Sequence, residues 1–387
     1  MKQLFDFEEI RPFHDEEVPG VIKSLLTEEG FKHAVNFVIP GIDYEEFSRQ
    51  MTSFSNKRDF QTKLISPFVH NLAKKSTASL TLGGVENLSP TGSYTYISNH
   101  RDIILDASFL NILLLDAGFD TSEVAIGDNL LIYPWISNLV RLNKSFIVNR
   151  DVSGRKMLDT SKRLSAYIHF VIKVKHQSVW IAQREGRAKN SDDKTQESVI
   201  KMLNLGGPDE NVCSNIRSLN IVPVSITYEF DPCDFLKAQE FQLKRDNPEY
   251  KKTPHDDLLN METGLLGCKG RVHFQLTPCI NEQLEEICVC QDKIEEINLI
   301  AQAIDRNIHS NYQIFPVNYI AYDLNTGNNE FAAHYTAQEK EDFLSYIDKQ
   351  LKKVRISDPD LPFLKEKMLE MYANPLKNKL KTFCKTC

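Results

Sequence analysis

No apolar run in this chain is long enough to cross a bilayer. The longest, "IILDASFLNILLL" from Ile103 to Leu115, is broken by Asp106 and falls short of the ~20 residues that a spanning helix needs. The N-terminal stretch "MKQLFDFEEIRPFHDEE" carries acidic residues where a signal peptide has a basic start and an apolar core. A cytoplasmic protein is therefore expected. Framework spacing is missing from the eight cysteines, Cys213, Cys233, Cys268, Cys279, Cys288, Cys290, Cys384 and Cys387, so reduced thiols are expected. The terminal Cys384-x-x-Cys387 has no second pair to complete a zinc site, and no metal is expected. Internal repeats and low-complexity tracts are also lacking. An excess of positive charge is lacking too: the net charge is -7, which argues against nucleic acid as a partner.

The 387 residues suffice for one large domain with additions or for two domains with full cores. Apolar residues make up 41% and charged residues 26%, the proportions of an ordinary globular protein. Charge is not spread evenly. Between Arg141 and Lys189 there are twelve Lys or Arg against three Asp or Glu, a basic middle suited to a localised anion such as a phosphate, or to a plain solvated face.

Residues 16–75 carry apolar positions at helical spacing, in two stretches separated by Pro40-Gly41. Around Ser76 the pattern changes to strand, turn, strand. From there, short apolar strands ("EVAIG", "SFIVNR", "SVWIAQ", "NIVPVSITY") alternate with helical stretches, one of them from about Asp102 to Asp116. A polar loop, "KRDNPEYKKTPHDD", precedes one more strand, "RVHFQLTPCI", and a long helix. Such alternation predicts an α/β fold with a mixed, largely parallel sheet flanked by helices, and helical additions at both ends. The expected division is an N-terminal helical segment over 1–75, an α/β domain over 76–295 and a C-terminal helical extension over 296–387. The aromatic patch from Tyr312 to Tyr322 is expected in the core rather than at a lipid surface.

The stretch "YISNHRDIILDASFL" sets His100, Arg101, Asp102 and Asp106 against a strongly apolar run. A protein-kinase catalytic loop would place a metal-binding Asn five residues after the Asp of His-Arg-Asp, but Ala107 stands there and no Asp-Phe-Gly exists in the chain. A structural role, capping a helix and meeting its dipole, accounts for Asp102. It does not account for Asp106, one turn on among Ile104, Leu105, Phe109 and Leu110. A carboxylate there wants a partner. A third reading makes His100 a general base oriented by a carboxylate.

Three later blocks weigh on that choice. "SFIVNR" ends a strand at Arg150, whose guanidinium can fork onto a phosphate. "VWIAQREGRAK" ends another strand in a cation-rich turn with Arg184, Glu185, Gly186, Arg187 and Lys189. "NIVPVSITY" places Pro223 inside an apolar strand, where an edge position or a bulge is expected. In this order, from roughly residue 79 to 280, the blocks resemble the glycerolipid acyltransferase superfamily, which includes glycerol-3-phosphate and lysophosphatidate acyltransferases. In detail they look similar to soluble bacterial acyltransferase-like proteins of about this length.

Two departures stand out. Five residues separate His100 from Asp106 where the family has four, a rotation of about 100° on a regular helix. Either the helix starts later or the active carboxylate is Asp102; the buried face favours Asp106. "EGRAK" also replaces Glu-Gly-Thr-Arg, so Arg187 comes one position early and Lys189 shares its role.

The resemblance implies acyl transfer from acyl-CoA or acyl-carrier protein to a hydroxyl of glycerol 3-phosphate, lysophosphatidate or a related polar lipid acceptor. His100 would be the base, paired with Asp106 or Asp102. Arg150, Arg187 and Lys189 would hold the acceptor phosphate, with Glu185, Gly186 and Pro223 shaping that site. Amides at the helix start near His100 would meet the oxyanion. No metal or redox cofactor is implied. Attachment to the inner face of the cytoplasmic membrane would be peripheral, through residues 16–75. The alternatives are an inactive lipid-binding protein and a thioesterase or esterase on the same fold.

Overall fold

The computed structural model describes residues 6–150, 153–290 and 292–383; Cys384 and Cys387 lie outside them. The N-terminal helices are α1 (Val18–Thr27), α2 (Glu29–Val38), α3 (Tyr44–Thr52), α4 (Lys57–Phe60) and α5 (Ser66–Ser76). A single wide π-type turn, Gln61–Ile65, joins the last two. Then come β1 (Ser79–Gly83), β2 (Thr95–Ser98), α6 (Leu105–Asp116), β3 (Glu123–Gly127), α7 (Pro134–Leu142), β4 (Ser145–Val148), α8 (Arg155–Lys173) and β5 (Val179–Ala182). Next are α9 (Glu197–Leu205), α10 (Val212–Arg217), β6 (Ile221–Tyr228), α11 (Asp234–Asp246), α12 (Pro254–Leu266) and β7 (Arg271–Leu276). The chain closes with α13 (Asn281–Ile287), α14 (Lys293–Ser310), α15 (Pro316–Thr326), α16 (Ala337–Leu351) and α17 (Leu361–Phe383).

The fold is α/β. One seven-stranded sheet has the order β1-β7-β6-β2-β5-β3-β4, and every neighbouring pair is parallel except β6 with β7. Helices cover both faces. Ile97, Val179, Ile181 and Ile221 meet α8, α9, α10 and α14 on one face. Tyr96, Trp180, Val222, Val224 and Ile226 meet α5 and α6 on the other. With apolar partners on both sides, the central strands read as near-continuous apolar runs, and every residue of β2 and β6 is buried. Further cores join α1–α4 to α7, and α11 to α15, α16 and α17. Residues 75 and 76 end α5, whereas 295 and 296 fall inside α14, whose Ile297, Ile300 and Ile304 belong to the sheet's own core. No helix among the described residues is long and apolar enough to cross a membrane.

Four local expectations need correction. Pro223 marks neither an edge nor a bulge, because β6 lies between β2 and β7. Its carbonyl accepts from the Thr277 backbone N–H at 3.1 Å, so its nitrogen faces β7 where that ladder has already ended. The polar loop over 244–257 is helical at both ends, in α11 and α12. The helix after it breaks into α13 and α14. Finally, Cys213 and Cys288, which were expected as reduced thiols, form a disulfide between α10 and the end of α13. Tyr312 and Phe315 of the aromatic patch are buried.

Candidate active site

Parallel strands bring their C-terminal ends to one edge of a sheet, and ligands of open α/β sheets bind there. His100 follows β2, Arg150 follows β4, and Arg184, Glu185 and Gly186 follow β5. Residues far apart in sequence thus meet along one side of the sheet.

The His100 loop is built to leave β2 in a fixed direction. Past Ser98, the Asn99 side chain continues the ladder: its amide nitrogen donates to the Ile226 carbonyl at 2.9 Å and its oxygen accepts from the Ile226 N–H at 2.8 Å. Helix α6 begins at Leu105, not near Asp102, and this delay resolves the spacing problem. With residues 99–104 in a non-helical turn, Asp106 in the first turn of α6 reaches back. Its Oδ2 lies 2.8 Å from His100 Nδ1 and accepts the backbone N–H groups of Arg101 at 2.6 Å and Asp102 at 3.0 Å.

Asp106 is 0% exposed and His100 nearly buried. An ionised carboxylate survives such burial only when its lone pairs are met. Oδ2 has three donors, whereas Oδ1 is buried without a hydrogen-bond partner among the described residues. With Nδ1 held by Asp106, the other ring nitrogen, Nε2, is the one available to substrate.

Asp102 does the capping. Its Oδ1 accepts from the N–H groups of Ile104 at 2.9 Å and Leu105 at 2.8 Å, which takes up two of the amides expected for an oxyanion. Burial first, and then the Asp106 charge, push its carboxyl above the usual range. Gly264 on α12 makes room for it, since a Cβ there would overlap the Asp102 carboxylate.

His100 opens onto a cavity of about 850 Å³. Its walls are mostly apolar and come from α2, α5, α6, α7 and α12, including Phe37, Leu72, Ile104, Ala107, Ile136 and Leu139. The wide turn before α5 contributes Gln61 and Ile65. Trp180 stands edge-on to the His100 ring, 5.7 Å between centroids. Arg150, Arg184 and Gly186 also line it.

The Arg150 N–H donates to Asp128 Oδ1 at 3.1 Å, and its guanidinium is 4.0 Å from Glu185. Gly127 lets that side chain pass, because an added Cβ would come within 2.6 Å of Nε. Arg184 was visible in the sequence as one cation of a basic turn but was not singled out. Its Nε is buried without a partner among the described residues.

Of the remaining candidates, only Gly186 lines the cavity. Glu185 is exposed, and Gly186 adopts a φ of +66° that suits glycine at this turn. Arg187 is buried behind the loop, donating to Asn260 Oδ1 at 2.8 Å. Lys189 pairs with Glu240 at 2.8 Å, and burial, with Arg187 nearby, lowers its pKa to about 7. Arg187, Lys189 and Pro223 are not cavity-lining residues. The arrangement thus joins a His–Asp pair, a mostly apolar chamber and two cations at one strand edge.

No family model matches this chain, and no curated protein matches it. Among solved structures, the chain is similar to the 1-acyl-sn-glycerophosphate (LPA) acyltransferase, PlsC, from Thermotoga maritima, at 10% identity and a TM-score of 0.35, over 76% of this chain and 98% of that one.

Proposed function

We propose that the protein transfers an acyl group from a thioester, acyl-CoA or acyl-carrier protein, to a hydroxyl of a polar, phosphate-bearing lipid acceptor. The observation that carries this reading is the His100–Asp106 pair opening onto an apolar chamber that Arg150 and Arg184 also line. The acceptor hydroxyl oxygen attacks the thioester carbonyl carbon while its proton passes to His100 Nε2, and Asp106 stabilises the resulting imidazolium. The tetrahedral intermediate then collapses. The C–S bond breaks, and the thiolate leaves with the proton from His100. The acyl chain occupies the chamber, whose volume suits a ligand site of ~300–1,000 Å³. Arg150 and Arg184 hold the acceptor's phosphate. The partially exposed rings of Phe37 and Tyr133 at the chamber wall suit peripheral contact with a membrane surface, which would deliver the lipid acceptor.

The test is incubation of purified protein with long-chain acyl-CoA or acyl-carrier protein and candidate acceptors, followed by mass spectrometry. Acylated acceptor is expected from the wild type and not from His100→Ala. Equal product from both would refute the base. Thioester cleavage without an acceptor would make the protein a hydrolase, and binding without turnover a lipid carrier.

A further inference from the structure

The residue after the candidate base is anchored from three directions at once. The Arg101 backbone N–H donates to Asp106, its carbonyl accepts from Lys237 Nζ at 3.3 Å, and its guanidinium pairs with Asp193 at 2.7 Å. All three charged side chains are buried. Two of the anchors, Asp193 and Lys237, are themselves tied to the helices after the sheet. Asp193 accepts from the Tyr312 hydroxyl at 2.6 Å, and its carbonyl meets His309 Nε2 at 2.6 Å. The Tyr312 ring also lies 5.7 Å from the Arg101 guanidinium.

Lys237 on α11 pairs with Asp231, whose N–H donates to the Tyr372 hydroxyl at 3.1 Å. That hydroxyl donates in turn to Asp234, which also accepts from Tyr346 at 2.9 Å. The turn after Gly186 is held in the same way. Thr195 donates to Asp305 of α14, and the Asn190 carbonyl accepts from Asn374 of α17 at 2.8 Å.

Placing so many charges out of water is costly unless each is paired, and such clusters do not by themselves make a fold more stable than apolar packing would. What they fix is geometry. Arg101 can hold all three anchors in one backbone position only, and that position determines where His100 stands relative to Asp106.

We propose that Arg101 and Lys237 are positioning residues, and that the C-terminal helices serve the reaction by clamping the His100 loop through them. This rests on the reading of His100 as base. A ring nitrogen displaced by about 1 Å from its productive place can lose on the order of 100-fold in rate.

The test uses the full chain labelled with ¹⁵N-histidine, the His100 signals being assigned by their loss in His100→Gln. In wild type, a hydrogen-bonded Nδ1–H signal is expected. Lys237→Met combined with Asp231→Asn removes both members of the buried pair together. It should broaden or shift that signal and lower kcat about 100-fold, with KM for the thioester unchanged. Arg101→Lys, which keeps the charge but changes the reach and shape of the group that meets Asp193, should act in the same direction.

If the double variant does not fold, Tyr312→Phe removes a single hydroxyl and is read in the same two ways, with a smaller expected loss. Variants that melt earlier yet keep the wild-type Nδ1–H signal and kcat would overturn the positioning role and leave a stabilising one. Full transfer activity in His100→Ala would instead refute the base, and the nitrogen spectra would still decide whether the clamp sets the ring.

Discussion

Replacing Asp106 by Asn separates the role of its charge from that of its shape. The side chain keeps its size, and its amide oxygen can take the place of Oδ2, where three donors converge at 2.6–3.0 Å. The amide NH₂ must then sit at Oδ1, which has no partner among the described residues. The opposite orientation points NH₂ at His100 Nδ1 and at two backbone N–H groups, and forces the ring into the wrong tautomer. In either case the imidazolium formed during catalysis loses its counter-charge.

Because general-base assistance contributes about 10²–10⁴-fold, Asp106→Asn should lower kcat by that range, or roughly 3–5 kcal/mol of barrier at ~1.36 kcal/mol per tenfold. Asp106 is fully buried and does not line the chamber, so KM for the thioester should hold. Steady-state kinetics, with circular dichroism as a check on folding, measures both. Wild-type kcat in Asp106→Asn, with activity lost in Asp102→Asn, would refute the assignment and transfer the role to Asp102.

Arg150→Ala and Arg184→Ala should raise KM for a phosphate-bearing acceptor far more than KM for the thioester, read by varying each substrate in turn. Gly264→Ala drives a methyl into the Asp102 carboxylate and should cost about 1–3 kcal/mol in a urea titration, with loss of activity as the start of α6 shifts. Asp234 is raised to about 7, by burial first and the Asp231 charge second, against hydrogen bonds from Tyr372, Tyr346 and Gln350. Between an unfolded value near ~3.9 and that folded value, the native state holds a proton that the unfolded chain has released. Stability should therefore fall as pH rises through this window, by up to ~1.4 kcal/mol per unit, and the slope should be absent from Asp234→Asn in paired urea melts.

Much of the strand edge was legible in sequence because chemistry and pattern coincide there. The short apolar runs around Trp180 and Val222 read as strands from their length and pattern, and the buried setting of Asp106 already favoured it over Asp102. Other features were hidden because they depend on partners distant in the chain. Arg187 and Lys189 read as anion-binding cations, yet Asn260 and Glu240, more than fifty residues later, engage them. Whether α6 starts late or Asp102 takes the role was also out of reach, since a shift in helix onset from Asp102 to Leu105 costs little locally and depends on how the turn after Asn99 is held across the sheet.

The sequence alone indicated the α/β class and favoured Asp106 over Asp102 beside His100, because periodicity and a carboxylate in an apolar helix are local facts. Tertiary structure alone decided which cations face the chamber, that β6 is central despite Pro223, that Cys213 meets Cys288, and that helices after residue 300 hold the His100 loop. Those outcomes depend on which side chains share a buried volume, and a linear chain does not display that until parallel strands bring their ends together.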